Sequence, residues 1–294
     1  MNDLLCASAP GKINLFLKVT GRREDNYHTL ESIFLPLAEP ADDIAIDLDA
    51  LPGAITVGSS DIMLPGGTAN IAGRAAELWA KKSASVPHWD INIVKNIPVA
   101  AGMGGGSSDA AAVLKLLNEH SGNLLSDAEL HEAALTLGAD VPFFLNPRPS
   151  LITGIGEIAD ELDFSLPELH LLLLAPEFPV SAAEGYKLMP QEKISPMNET
   201  LRSDILKSLQ QNDIEKLAAL IFNDLQEGIF RKYPILEILS CDMLRCGALN
   251  CLMTGSGPTL FGLFSSAEGA QKALEELSGL HPEFRVFRAS TMTI

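Results

Sequence analysis

Pro98-Val99-Ala100-Ala101-Gly102-Met103-Gly104-Gly105-Gly106-Ser107-Ser108-Asp109 is the stretch around which the rest of the chain is organised. Upstream of it, Ile91, Ile93 and Ile97 alternate with the polar Asn92 and Asn96, the period of a half-buried strand that Pro98 stops. Downstream, Ala110 to Leu117 is a run of helix formers with β-branching only at Val113. Four glycines at a strand-to-helix junction allow a tight turn and leave no Cβ between backbone N–H groups and a ligand. Ser107, Ser108 and Asp109 supply capping chemistry for the helix start. A helix opened in this way presents unpaired N–H donors and a partial positive charge, which suits a phosphate. A glycine loop without a ligand is the plain alternative. No lysine follows the glycines, so the G-x-x-x-x-G-K-[ST] loop is excluded and any lysine on the phosphates comes from elsewhere in the chain.

With 294 residues, the chain exceeds the usual single-domain size and predicts two domains sharing a cleft. Hydrophobic residues at 47% and charged residues at 20% describe a globular protein with a sizeable core. A net charge of −17 argues against nucleic acid or an anionic membrane surface as partner, so any positive field for phosphate must be local. Met1-Asn2-Asp3-Leu4-Leu5-Cys6 lacks the features of a signal peptide, and the apolar run Leu169 to Ala175 is too short to span a membrane. Cys6, Cys241, Cys246 and Cys251 form no C-x-x-C pair and read as small hydrophobes, not metal ligands. A cytoplasmic location is the expectation.

Outward from the glycine stretch, Ala9-Pro10-Gly11-Lys12 is a turn, and Ile13, Leu15, Leu17 and Val19 then recur with the period of a strand. Lys12 thus stands at a strand's beginning, either reaching toward a site or solvated at an edge. Tyr27-His28 closes a polar turn ahead of a second strand, and an aromatic beside a histidine suits stacking and edge hydrogen bonds to a heterocyclic base. Residues 42–64 alternate as further strands of an antiparallel sheet, and Asn70 to Lys82 reads as a helix. Ser126 with Glu129 forms a capping box for a helix that ends at Gly138. Asp140 follows at once, ahead of an apolar strand-like segment, and is the carboxylate that stands out. The stretch 146–156, with Pro147, Pro149, Gly154 and Gly156, marks a domain boundary. Beyond it, helices over 203–209, 214–221, 235–246 and 267–277 alternate with strands over 169–174, 247–253, 259–264 and 284–289, an α+β arrangement of one sheet backed by helices. Thr254-Gly255-Ser256-Gly257-Pro258 is a second small-residue loop, or else a plain hairpin turn.

Pro10-Gly11-Lys12-Ile13-Asn14, the loop 102–108 and Thr254-Gly255-Ser256-Gly257-Pro258 resemble, in order, motifs one, two and three of the GHMP small-molecule kinases. The resemblance runs from Ala9 to about Phe264. The stretches Lys12 to Leu17, Tyr27-His28-Thr29-Leu30 and Leu137 to Phe144 are most similar to the branch that phosphorylates 4-diphosphocytidyl-2-C-methyl-D-erythritol in the non-mevalonate isoprenoid route. That resemblance implies an α+β fold of two domains, a ribosomal-protein-S5-like ATP-binding domain over 1–154 and a ferredoxin-like domain over 155–294, with ATP and substrate in the cleft between them. It further implies ATP and Mg²⁺ as cofactors, a cytidine diphosphate-linked polyol as substrate, and a monomer or homodimer without nucleic-acid or membrane partners.

Carried over residue by residue, Asp140 matches the catalytic aspartate and Lys12 the lysine beside it. Pro98, Gly102, Gly104, Gly105, Gly106, Ser107 and Ser108 match the phosphate-binding loop, with Ser107 or Ser108 the candidate to touch Mg²⁺. Tyr27 and His28 match residues that hold the cytosine, Tyr186 a second aromatic on it, and Asn14 a polar neighbour of the reacting end. Gly255, Ser256 and Gly257 form the third-motif loop, and Asn70 and Lys95 are candidates for the adenine pocket. Asn26 stands where a glycine commonly precedes the Tyr-His pair, Met103 replaces a leucine, and Asn146 to Pro149 replaces a glycine-rich stretch. The implied reaction moves the γ-phosphoryl of ATP to a substrate hydroxyl. The alternatives are a related kinase acting on homoserine, mevalonate or a sugar, and a catalytically silent member that senses a ligand.

Overall fold

Residues 4–49 and 51–292 are described by the computed structural model of the protein. The opening Met1-Asn2-Asp3 of the segment read as lacking a signal peptide lies outside the described residues. Two compact units emerge: one from residues up to 11, 40–97 and 104–147, the other from 12–39, 98–103 and 148 onward. The long strands β1 (Leu4–Arg22) and β2 (His28–Asp47) pair with each other and contribute to both units.

The first unit adds β3 (Ile55–Ser59), α1 (Ile71–Ser83), β4 (Trp89–Val94), α2 (Gly105–His120), α3 (Asp127–Leu137) and the short α4 (Val141–Leu145). β4 runs antiparallel to the end of β2, from Asp43↔Val94 to Asp47↔Asp90. It runs parallel to β3, from Ile55↔Trp89 to Ser59↔Ile93, which departs from the expected antiparallel sheet. The reason is the connection: α1 lies between β3 and β4, and a helical crossover returns the chain to the same end of the sheet. Helices α1 and α2 pack against each other, and both carry small buried residues, Ala72, Ala75 and Ala76 in α1 and Ala110 and Ala111 in α2. Trp79 fills the remaining volume, edge-on to Trp89 at 5.6 Å, and its indole N–H donates to the buried Asn118. Burying a side chain of this size contributes roughly 1.5–3 kcal/mol.

Three local expectations need correction. Residues 9–12, read as a turn ahead of a strand, lie inside the continuous strand β1. Helix α2 begins at Gly105, well before Ala110, and its N-cap is Gly104 in the left-handed region (φ +74°) with no side-chain cap bond. Ser107, Ser108 and Asp109 therefore lie inside the helix and do not cap it. The segment after Asp140 is the helix α4, not a strand, because Pro142 at its first turn presets a helical φ while losing no needed N–H bond. The capping box of Ser126 and Glu129 and the stop at Gly138 are as expected.

The second unit contains β5 (Ser150–Thr153), β6 (Ile158–Glu161), β7 (His170–Ala175), α5 (Ala182–Leu188), α6 (Glu199–Gln210) and α7 (Ile214–Leu220). It continues with α8 (Gln226–Lys232), α9 (Pro234–Arg245), β8 (Asn250–Met253), β9 (Leu260–Phe264), α10 (Ala267–Leu280) and β10 (Arg285–Thr291). β10, β7, β9 and β8 form an antiparallel run, and β10 meets β2 at Leu37 and Glu39. Leu171 to Ala175 are all buried, which explains an unbroken apolar strand: both faces are covered. Leu236, Leu239 and Met243 of α9 and Ala270, Ala273 and Leu277 of α10 supply much of that cover. The glycine-rich stretch expected to separate domains at 154/155 is instead the turn of the β5–β6 hairpin, and β5 continues onto β2 through Ser32↔Ile152. Among the described residues, no helix is long and apolar enough to cross a membrane.

Candidate active site

In the first unit helix α2 has a buried charged base. Lys95, at the end of β4, bonds the carboxylate of Asp42 and, at 2.8 Å, that of Asp109 in α2. Asp42 also accepts from the N–H groups of Asn96 at 2.6 Å and Ile97 at 2.8 Å. These bonds fix the residues that enter the glycine stretch to the helix that leaves it. One ammonium between two carboxylates leaves an excess negative charge in a dry site, and burial pushes the Asp109 carboxyl up to about 7. Asp109 Oδ1 and the hydroxyl of Ser108 are buried without a hydrogen-bond partner. The first intrahelical bond of α2 runs from Ser108 N–H to Gly104 O, so the N–H groups of residues 105–107 precede the ladder, as a helix N-terminus requires. Gly105 and Ser107 are half-buried and Gly106 exposed there. Asn70 caps α1 by accepting from Ala72 N–H. Both adenine-pocket candidates, Asn70 and Lys95, are thus engaged by the protein itself.

Asp140 belongs to the same unit, half-buried at the N-terminus of α4 with an αR backbone (φ −79°, ψ −16°). The buried Val141, Phe143 and Phe144 anchor the helix that carries it.

The second unit brings parts of all three motif segments together. Lys12, only 3% exposed, donates from Nζ to Asn14 Oδ1 at 2.6 Å and stands over the Phe34 ring at 4.3 Å. Its backbone N–H donates to Met103 O in the glycine stretch. Asn14 Nδ2 donates to Ser32 Oγ at 2.9 Å, and Ser32 in turn donates to Phe16 O. The hydroxyl of Thr254 joins the segments: it accepts from Asn14 N–H at 3.0 Å and donates to Gly102 O at 3.3 Å. Gly102 admits no side chain, because a Cβ there would lie 2.2 Å from Thr254 O. Gly255 and Gly257, both with positive φ, shape the loop between β8 and β9, with half-buried Ser256 between them. Pro98 opens the glycine stretch, half-buried. The loop Thr254 to Pro258 is indeed a hairpin turn, yet one tied to the other two motifs.

His28 and Tyr186 stack in parallel, ring centres 4.9 Å apart and planes 5° from coplanar. Tyr186 rides on α5 next to the third-motif loop, because Gly185 brings that helix within van der Waals reach of Ser256. Burial first, and then the charge of Arg22, lower the His28 pKa, so its ring is held neutral, one nitrogen a donor and the other an acceptor. His28 Nε2 is buried without a partner. Tyr27 is 60% exposed and stands apart from this stack, on a turn where Asn26 takes the left-handed φ of +70° that asparagine tolerates. Ser32, Thr254 as a junction, and the Lys95 cluster were not legible in the sequence. Only the position of Thr254 at the head of a glycine loop offered a signal.

Models of the GHMP kinase N-terminal and C-terminal domains match residues 70–147 and 205–282. A protein of Geobacter sulfurreducens described as 4-diphosphocytidyl-2-C-methyl-D-erythritol kinase is 40% identical over 271 residues, covering 92% of this chain and 94% of its own. The chain belongs to the GHMP kinases, in the 4-diphosphocytidyl-2-C-methyl-D-erythritol kinase family. A crystal structure of a 4-(cytidine 5'-diphospho)-2C-methyl-D-erythritol kinase superposes with a TM-score of 0.79 at 32% identity, over 98% of this chain and 99% of that one. Homoserine kinase from Cytophaga hutchinsonii shares the fold, with a TM-score of 0.75 at 17% identity over 100% of this chain and 96% of that one. The fold of this family member is accordingly the two-domain α+β GHMP kinase fold, and ATP is the phosphate donor of such kinases.

Proposed function

We propose that the protein transfers the γ-phosphoryl group of ATP to a hydroxyl of 4-diphosphocytidyl-2-C-methyl-D-erythritol, giving the 2-phosphate and ADP in the non-mevalonate route to isoprenoid precursors. The observation that carries the choice of substrate is the His28–Tyr186 stack beside the third-motif loop. A flat heterocycle stacks on Tyr186, with Tyr27 as a further exposed ring for the cytidyl group, while neutral His28, with its unpartnered Nε2, meets a donor–acceptor edge of the kind cytosine presents. Homoserine and mevalonate carry no such ring.

Phosphoryl transfer through a loose transition state depends on alignment and charge neutralisation more than on covalent help. The N–H groups of Gly105, Gly106 and Ser107, which precede the hydrogen-bond ladder of α2, hold the phosphates. The described residues contain no cluster of three His, Cys, Asp or Glu side chains that could hold a metal. The buried, unpartnered hydroxyl of Ser108 fits a phosphate-bound hard cation, and Ser107 or Ser108 would hold Mg²⁺ there alongside phosphate oxygens. When bound, Mg²⁺ neutralises charge on the phosphates. Asp140 orients the attacking hydroxyl and takes its proton. Lys12, held by Asn14, neutralises charge on the incoming oxygen, and Asn14 sits at the reacting end of the substrate.

Cytidine 5'-diphosphate raises the melting temperature of the protein if this reading holds, whereas homoserine and mevalonate leave it unchanged. Tyr186→Ala removes most of the shift, because stacking a base on an aromatic ring is worth about 1–3 kcal/mol. A shift with mevalonate and none with the cytidine nucleotide would overturn the choice of substrate.

A further inference from the structure

Asn223 lies in the short passage between α7 and α8, only 8% exposed. Its Nδ2 donates to two carbonyls of the third-motif hairpin, Met253 O at 2.6 Å and Gly255 O at 2.9 Å, on either side of Thr254. Its Oδ1 accepts from Leu225 N–H at 2.9 Å, which fixes the orientation of the amide. The opposite side of Met253 is held by Gln226, which accepts from Met253 N–H at 2.8 Å. The neighbouring backbone is tied to β1: Leu17 N–H donates to Phe222 O, and Asp224 N–H donates to Leu17 O. The Asp224 carboxylate completes the tie by accepting from Val19 N–H at 2.9 Å and Lys18 Nζ at 3.0 Å. Three consecutive residues, 222–224, thus clamp the strand bearing Lys12 and Asn14 to the loop bearing Thr254.

We infer that Asn223 is a positioning residue for phosphoryl transfer, acting through Thr254 and Asn14 on Lys12, an assignment that rests on the kinase reading above. Both carbonyls that receive its amide flank the one residue whose hydroxyl joins the three motif segments. Without the two donors, Met253 O and Gly255 O are left buried without these bonds, and the loop relaxes. Thr254 then no longer meets Asn14 N–H at hydrogen-bond distance. Asn14 accepts from the Lys12 ammonium, so the displacement arrives at Lys12. Asn223 is buried away from solvent and supplies no group to a ligand, so its loss reduces turnover more than affinity.

Two variants test this. Asn223→Ala removes the amide, and Asn223→Asp keeps the oxygen that caps Leu225 while removing both donors. With ATP and the cytidyl substrate, both lower kcat about 10- to 100-fold, the penalty for a misplaced reacting group, and leave KM for ATP within about threefold of the parent. Thr254→Val reproduces the loss and Thr254→Ser, which keeps the hydroxyl, recovers most of the activity. Hydrogen exchange read by mass spectrometry gives a second readout that needs no substrate: the amides of Asn14 and of residues 254–257 exchange faster in Asn223→Asp while helix α10 is unchanged. An unmodified protein that ignores the cytidyl substrate defeats the kinase reading, and the exchange data then decide the positioning role alone. The inference is overturned if Asn223→Asp keeps kcat within about twofold, if only KM moves, if exchange at Asn14 is unaltered, or if neither variant folds.

Discussion

The sequence put Lys12 at the start of a strand, whereas it lies in the middle of β1 (Leu4–Arg22), and its surroundings were not legible. A period of two puts Lys12, Asn14 and Phe16 on one face, which reads either as reaching toward a site or as a solvated edge. In the structure Gly11 to Leu17 are buried on both faces, because Phe34, Ser32 and the Thr254 hairpin cover the polar side. Those covering residues come from distant parts of the chain, so no local pattern announces them. Tyr27 and His28 show the same limit: the adjacent pair was visible, but only the fold reveals that His28 stacks on Tyr186 while Tyr27 faces solvent. Asp140 was singled out as the carboxylate that precedes an apolar strand-like segment, and that segment is a helix. Its proposed role has a direct check. Asp140→Asn should lower kcat more than about 100-fold with little change in KM for either substrate, since general-base contributions reach about 10²–10⁴. Steady-state ADP release measures it, and a variant retaining a third of the parent's turnover removes Asp140 from the role, as a fraction that size is below what a base contributes.

The glycine stretch and α2 show how far an element can be read from composition. A strand, a tight turn and a helix were all foreseen, but the helix starts earlier because Gly104, in the left-handed region, ends the turn where a serine cap was expected. Gly102 is constrained on two counts, a φ of +75° and a Cβ position 2.2 Å from Thr254 O. Gly102→Ala should therefore destabilise the protein by about 1–3 kcal/mol or more, the usual size of forced backbone strain, and lower kcat; urea unfolding with activity assays checks both. At the base of α2, Asp109 was read as a cap and is instead part of a buried charge cluster with Lys95 and Asp42. Its carboxyl rises from an ordinary 3.8 to about 7, chiefly through burial, with Asp42 adding to the rise and Lys95 opposing it. Folding therefore favours the protonated form. This contribution to stability is complete below about 3.8, declines as pH rises, and is gone above about 7. Asp109→Asn should remove that slope: between these limits the parent loses stability with rising pH relative to the variant. Urea midpoints of the two proteins across the window measure it, and parallel curves contradict it.

At the scale of the molecule, sequence order and compact packing differ. The expected boundary at 154/155 took a glycine- and proline-rich stretch for a linker, yet those residues turn a hairpin that extends the pairing of β2. The two compact units are each assembled from separate stretches, and the glycine stretch itself passes from one to the other between Met103 and Gly104. Composition cannot show this, because it follows from two strands long enough to serve both units. What the motifs did carry was the family, since three short loops in a fixed order are tied to one fold by their mutual hydrogen bonds. Helices α5 and α8 were not foreseen, although the equally short α7 was. They nonetheless place Tyr186 and Gln226 against the third-motif hairpin. The central claim is that this assembly uses ATP to phosphorylate a cytidine diphosphate-linked polyol. ADP release from ATP, measured in parallel with 4-diphosphocytidyl-2-C-methyl-D-erythritol, homoserine and mevalonate, tests it most directly. Turnover confined to the cytidyl substrate is expected; turnover with homoserine or mevalonate and none with the cytidyl compound would contradict it.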